Sequence, residues 1–256
     1  MKILSLAPSN TEILFALGAG DQIIGRTAYC DYPQEALQIP KIGDWTNPPI
    51  SKIKELQPDL ILTSTIVQEK LAQKLKKAKL PVAHIAPKNL VAVIGSIEKI
   101  GALVGKTEEA KKIAEHMLLR FAEIREKGET LKTHPKVYVE EWHKPPFVSG
   151  NWVPELAEIA GTEYYSGIAA GEYSKEVTLE QIKKFDPEII IISICGLGAK
   201  TSKKLIEQRD GWNQLSAVKN DRIFVFDDSF LNRPGPRLVK GCSMIQELIE
   251  IILPCP

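Results

Sequence analysis

The stretch ISKIKELQPDLILTS, residues 50–64, returns as LEQIKKFDPEIIIIS at residues 179–193. Ile53 corresponds to Ile182, Lys54 to Lys183, Pro58 to Pro187 and Asp59 to Glu188. Each copy reads as a short amphipathic helix, a proline that stops it, and an apolar run of strand length. KILSLAPSNTEILFALGAGD, from residue 2, and KVYVEEWHKPPFVSGNWVPELAEIAGTE, from residue 136, also correspond, each a strand, a loop and a helix that ends in small residues. A chain that runs one α/β plan twice predicts two lobes with a cleft between them.

The segment between the two copies supplies the connection. In TEEAKKIAEHMLLRFAEIREK, Thr107 to Lys127, the apolar residues Ala110, Ile113, Met117, Phe121 and Ile124 recur every three or four positions. That spacing gives one buried stripe on a helix. Thr107 is placed to cap it, Glu108 and Glu109 sit at the positive end of its dipole, and Gly128 is expected to stop it. Roughly twenty residues at about 1.5 Å each make a rod of about 30 Å, enough to run from one lobe to the other. The expected domains are an N-terminal α/β lobe over 1–105, a connecting helix over 106–130 and a C-terminal α/β lobe over 131–256.

Composition narrows the class. The chain has 256 residues, 44% of them hydrophobic and 25% charged, as in a globular protein with a substantial core. A net charge of +1 provides no global field for nucleic acid or an anionic membrane. No apolar run approaches the roughly 20 residues that span a bilayer, so membrane insertion is not expected. Met1-Lys2 leads directly into the apolar run from Ile3 with no leader before it. The expectation is a cytoplasmic protein if this is the natural full length, and a periplasmic or other extracytoplasmic one if a leader was removed. Cys30, Cys195, Cys242 and Cys255 lack CxxC spacing, so reduced, metal-free cysteines are expected.

Along the chain, a first strand over Ile3 to Ala7 turns at Pro8 into a helix capped by Ser9 or Asn10, and a second short strand follows at Ile23. Loops from Thr27 to Pro33 and from Gly43 to Pro49 carry Tyr29 and Trp45, in the position where α/β proteins place ligand contacts. A Lys-rich helix over Gln68 to Lys79, a strand over Val82 to Ile85 and a helix over Leu90 to Val104 complete the first half. In the second half, the segment from His143 to Trp152 reads as a loop rich in proline and aromatic residues. A helix from Thr201 to Glu207, a strand from Arg222 to Phe226, a loop from Asp227 to Pro236 and a final helix complete it.

Motifs of enzymatic chemistry are weak. Gly101 to Thr107, GALVGKT, is one residue too short for a phosphate-binding loop and follows a helical pattern instead of a strand. No GxGxxG follows a strand and no GxSxG elbow is present. His84, His116, His134 and His143 fall in four separate elements without metal-site spacing. His143, beside Trp142 and near Phe147, has two readings: a structural histidine, or a ligand to a metal carried by a bound molecule. The aromatics Tyr29, Trp45, Trp142, Phe147 and Phe230 read either as loop packing or as flat contact surface for a large, rigid, partly apolar ligand.

SLAPSNTEILFALG, AYCDYP, IGDW, QPDLIL, PPFVSG and DDSFLNRPGPR together resemble the vitamin B12 (cobalamin) binding proteins of ABC importers. These belong to the class of substrate-binding proteins for corrinoids, siderophores and haem. The likeness covers nearly the whole chain. It implies two Rossmann-like lobes joined by a single long α-helix with the ligand in the interlobe cleft, and no catalysis. Carried over by position, it implies ligand contacts from Tyr29, Trp45, Phe147, Asp228, Phe230 and Arg237, with Trp142 and Asn232 added by proximity. The ligand would be cobalamin or a related corrinoid, with no intrinsic cofactor, on a monomer whose protein partner is an ABC permease. The rod would restrict lobe motion, so binding is expected to be nearly rigid. Family members dock through one glutamate on each lobe: Glu180 matches the second, whereas Ser51 stands where the first would be, with Glu55 one turn away. A siderophore or haem carrier is the first alternative reading. A cytoplasmic corrinoid-handling enzyme using Tyr29, Cys30, Asp31 or His143 is the second.

Overall fold

A computed structural model describes residues 1–252; Cys255 lies outside the described residues. The chain divides into two compact units, the first comprising Met1–Pro87 and Val91–His116, the second Lys88–Leu90 and the chain from Met117 on.

The first unit contains β1 (Ile3–Ser5), α1 (Pro8–Ala16), β2 (Ile23–Thr27), β3 (Lys41–Gly43), α2 (Ile50–Glu55), β4 (Leu60–Ser64), α3 (Glu69–Lys77), β5 (Val82–Ile85) and most of α4 (Leu90–Leu103). Its five strands are all parallel in the order β3-β2-β1-β4-β5, the order of a Rossmann-type half. β1 and β4 are buried along their whole length, because a parallel sheet covered on both faces accepts continuous apolar runs. Leu4, Leu6 and Ile61 from the sheet meet Ile53, Leu71 and Leu75 from the helices in one core cluster.

The second unit contains β6 (Lys136–His143), β7 (Pro146–Val148), α6 (Val153–Ile159), β8 (Glu163–Tyr164), β9 (Lys175–Glu176), α7 (Leu179–Phe185), β10 (Ile189–Ile192), α8 (Lys204–Glu207), α9 (Ser216–Lys219), β11 (Ile223–Val225) and α10 (Leu238–Ile252). Its sheet is mixed, in the order β11-β10-β6-β7-β9, with β8 paired to the start of β6. β6, β10 and β11 are parallel, whereas β7 runs antiparallel to both β6 and β9.

The internal repeat holds at the level of single hydrogen bonds. The amide of Asp59 donates to the Lys2 carbonyl and that of Glu188 to the Lys136 carbonyl, both at 2.9 Å. In return the Lys2 amide donates to the Asp59 carboxylate at 2.7 Å and the Lys136 amide to the Glu188 carboxylate at 3.2 Å. The residue before each proline is left-handed, Gln57 at φ 46° and Asp186 at φ 47°, which ends the helix and turns the chain into the strand.

The helix α5 (Thr107–Glu129) carries the chain from the first unit into the second. Ala110, Met117, Phe121 and Ile124 are buried and Ile113 half-buried, as the periodicity requires. Three local expectations fail. Gly128 does not stop α5 but lies inside it, buried, where a Cβ would stand 2.9 Å from the Ile159 carbonyl and 3.0 Å from the Gly161 amide. Its function is close approach to the end of α6. Ser9 and Asn10 do not cap α1: the cap position is Ala7, Pro8 supplies the first turn, and both polar residues are buried inside the helix. The segment from His143 to Trp152 is not wholly loop, because β6 runs on to His143 and β7 pairs back, setting Trp142 opposite Phe147 and His143 opposite Pro146.

Candidate ligand-binding surfaces

In open α/β sheets, ligands are met at the carboxyl ends of the strands. In the first unit the loops leaving β2 and β3 bring Tyr29 and Trp45 together, with ring centroids 6.2 Å apart and planes tilted by 58°. Tyr29 keeps 44% of its area exposed, while Trp45 is half-buried. The Trp45 carbonyl accepts a 2.7 Å hydrogen bond from the side chain of Gln68. Beneath this loop the Cys30 thiol is fully buried, 3.3 Å from the Thr27 hydroxyl. Burial pushes this thiol above its ordinary range, against the smaller opposing effect of hydrogen bonds from Thr11 and Thr27. A nucleophilic cysteine needs an accessible thiol shifted toward the thiolate, and the Cys30 thiol is buried and shifted the other way, which weighs against this residue as the centre of the enzymatic alternative.

In the second unit the hairpin of β6 and β7 extends beyond Glu140, the last β6 residue paired with β10. Trp142 exposes 44% of its area there, and its indole N–H donates to the Lys144 carbonyl at 3.2 Å. The His143 ring lies 5.5 Å from that of Trp142, and its Nδ1 has no partner among the described residues. Phe147 is half-buried on the opposite strand. The hairpin is held from below by a charged network. Glu140 is fully buried and accepts two 2.7 Å bonds from Arg209, with a third at 3.0 Å from the Tyr138 hydroxyl. The guanidinium also lies 4.3 Å from the ring centre of Trp212 and donates to the His143 carbonyl at 3.4 Å.

The residues after β11 act on a neighbouring loop. Asp228 is buried, and its carboxylate accepts from the amides of Gly196 and Gly198 at 3.1 and 2.8 Å. Asn232 donates to the Ser193 carbonyl at 2.7 Å and to the Cys195 sulfur at 3.2 Å. Both side chains thus spend hydrogen bonds on fixing the loop that leaves β10. Arg237 stands over the Phe230 ring at 5.4 Å, with Phe230 half-buried. Glu180 is exposed in the first turn of α7, beside a capping box formed by Thr178 and Gln181. Ser51 and Glu55 are exposed on α2.

Gln68, Glu140 and Arg209 carry no signal in the sequence. Each is a single polar residue that takes at least one of its partners from a distant part of the chain. Ile66 and Val67 offer a weak one, two branched apolar residues directly after a strand. Among the described residues there is no group of three or more His, Cys, Asp or Glu that could hold a metal ion, and no helix is long and apolar enough to cross a membrane.

Rossmann-type strand order, an internal repeat and aromatic loops at the carboxyl ends of the strands define an α/β binding protein. The chain belongs to the periplasmic binding protein family, which matches residues 3–230. It is 32% identical, over 99% of its length and 80% of the other, to YvrC, an uncharacterized ABC transporter substrate-binding lipoprotein of Bacillus subtilis. The crystal structure of the periplasmic vitamin B12 binding protein of Vibrio cholerae covers 99% of this chain and 98% of its own, with a TM-score of 0.80 and 25% identity. That of a possible iron-binding periplasmic solute-binding protein from Staphylococcus epidermidis covers 96% and 97%, at 0.79 and 27% identity. The resemblance read from the sequence is thus established at the level of the family and the fold.

Proposed function

We propose that this protein binds a corrinoid of the cobalamin type and serves as the substrate-binding component of an ABC-type uptake system. Its ligand contacts would come from Tyr29 and Trp45 on the first unit and from Trp142, Phe147 and Phe230 on the second. The observation that carries the reading is the exposure of aromatic faces, Tyr29 and Trp142 at 44% each, on elements at the carboxyl ends of the strands. A flat, largely uncharged macrocycle is a ligand that such faces bind well. Asp228 and Asn232 act mainly by fixing loop shape, with Arg237 beside Phe230 as the charged contact. Glu180 is the proposed docking residue toward a permease.

The names of the relatives, one a lipoprotein and one periplasmic, support the extracytoplasmic of the two expected locations, and the cytoplasmic reading finds no support in them. A second reading, an iron complex such as haem or a ferric siderophore, is favoured by the Staphylococcus epidermidis relative and by the unpartnered Nδ1 of His143. Calorimetric titration with cyanocobalamin tests the first. One-to-one saturation is expected, with affinity lower by roughly tenfold in Trp142→Ala and in Tyr29→Ala, the scale of one lost aromatic contact. A silent titration, or variants that bind as the parent does, would reject the corrinoid. Binding of hemin or a ferric siderophore in its place would establish the second reading.

A further inference from the structure

One side chain ties together three of the loops at the carboxyl end of the first unit's sheet. Gln68 is fully buried. Its Nε2 donates to the carbonyls of Leu6, just after β1, and Trp45, just after β3; its Oε1 accepts from the amide of Ser64, the last residue of β4; all three bonds are 2.7 Å. Two carbonyl partners and one amide partner leave a single orientation for the side-chain amide. Only glutamine, among residues of this size, offers two donors and an acceptor so arranged.

The turn that delivers Gln68 adopts a conformation its own residues disfavour. Thr65 has φ 59° and ψ 168°, a region occupied essentially by glycine. Its hydroxyl is buried without a partner among the described residues. The next two residues, Ile66 and Val67, remain 45% and 51% exposed. Apolar side chains held outward by a strained turn, with the same clamp that holds Trp45, are unexpected in a connection whose only task is to join β4 to α3. Backbone strain of this kind collects where a surface is shaped for a ligand.

We propose that Gln68 is the positioning residue of the first unit's ligand-contact surface, and that Ile66 and Val67 belong to that surface together with Trp45. The inference rests on the binding reading above and deepens it: the ligand meets a branched aliphatic patch as well as aromatic faces. A large macrocycle with apolar edges fits such a patch, and a small polar solute does not.

Three variants of the full chain test the proposal. Gln68→Met keeps the volume and removes all three hydrogen bonds, and Gln68→Glu keeps the shape but sets a carboxylate against two carbonyls. Ile66→Ser with Val67→Ser changes only exposed side chains. In the Gln68 variants, hydrogen exchange at the Ser64 amide and across residues 44–49 should rise by tenfold or more, while exchange in β10 and α5 stays as in the parent. Cyanocobalamin affinity should fall at least tenfold in those variants and about tenfold in the double serine variant, whose Tm should not move. Unchanged exchange in Gln68→Met, or parental affinity in the double serine variant, overturns the proposal. If the parent fails to bind cyanocobalamin, the corrinoid reading fails by itself. The exchange measurement, and the same titrations with hemin, then decide the role of Gln68. If the Gln68 variants do not fold, the double serine variant decides the contact surface.

Discussion

Replacing Arg209 with methionine should destabilise the second unit by about 3–5 kcal/mol, because it removes one partner of a buried ion pair. Glu140 has no exposed surface, and Arg209 satisfies both of its oxygens at 2.7 Å. Methionine keeps most of the apolar stem against Trp212 but loses the stacked cation, a contact worth about 1 kcal/mol of that total. The carboxylate would be left with the Tyr138 hydroxyl alone. For a unit of this size each kcal/mol moves Tm by about 2–4 °C, so a shift of about 10 °C is expected. Thermal and urea unfolding followed by circular dichroism would measure it. Glu140→Gln combined with Arg209→Met removes the stranded charge while keeping an acceptor for Tyr138. It should recover about 2 kcal/mol relative to the sum of the single changes. A loss below about 1 kcal/mol in Arg209→Met, or strict additivity in the pair, would refute the assignment of a buried coupled network. Arg209 also donates to the His143 carbonyl, so the variant should loosen the hairpin that displays Trp142.

Gly128 and Gly95, both inside helices, should respond in opposite directions. Gly95→Ala, with nothing within 4 Å of the new methyl, should stabilise by up to about 1 kcal/mol, whereas Gly128→Ala, crowded by the Ile159 carbonyl, should destabilise in the same unfolding assay. Burial raises the Glu141 carboxyl, with the Ser174 hydroxyl opposing more weakly. The folded state therefore holds this proton more tightly than the unfolded chain, so stability is lost as pH rises from the unfolded value through the raised one. Glu141→Gln should then have the higher Tm at pH 7–8 and the same Tm near pH 4; a constant difference across this range would contradict that account. Burial also raises the thiols of Cys30 and Cys242, the latter to about 12. Native protein at pH 8 should leave both unmodified by iodoacetamide in peptide mapping, and rapid labelling of Cys30 would restore thiol chemistry as a candidate function.

The fold was legible because its signals are periodic and occur twice. The apolar runs at Leu60 and Ile189 became β4 and β10, the proline-terminated helices became α2 and α7, and the strand from Val82 to Ile85 fell where the alternation ended. What escaped was set by tertiary context. Gly128 looks like a stop signal, yet its reason is a methylene-close approach to the end of α6, which no local pattern encodes. The hairpin from Lys136 to Val148 read as strand and loop, because Pro145 and Pro146 argue against a strand pair in the middle of a sheet. The pair forms because Pro145 lies in the turn and Pro146 is the first residue of β7, opposite His143 at the tip of β6, where a missing amide costs little.

The candidate surface was half legible, and the division follows chemistry. Aromatic residues announce themselves, since Tyr29, Trp45 and Trp142 are large apolar groups in segments that strand-helix alternation puts at the carboxyl ends of the strands. The polar residues that give those aromatics their positions are silent, because a buried hydrogen bond joins groups distant in sequence. Leu6, Trp45 and Ser64 share one partner in Gln68, and Glu140 meets Arg209 across 69 residues. The same asymmetry orders how specificity would change. Exposed aromatic and aliphatic positions such as Tyr29, Ile66 and Val67 can be exchanged with little cost to folding, whereas the clamps beneath them tolerate almost nothing. On the proposed reading, ligand preference would be changed by substituting this exposed layer alone, with Gln68 and the Glu140–Arg209 pair left in place to hold the loops beneath it.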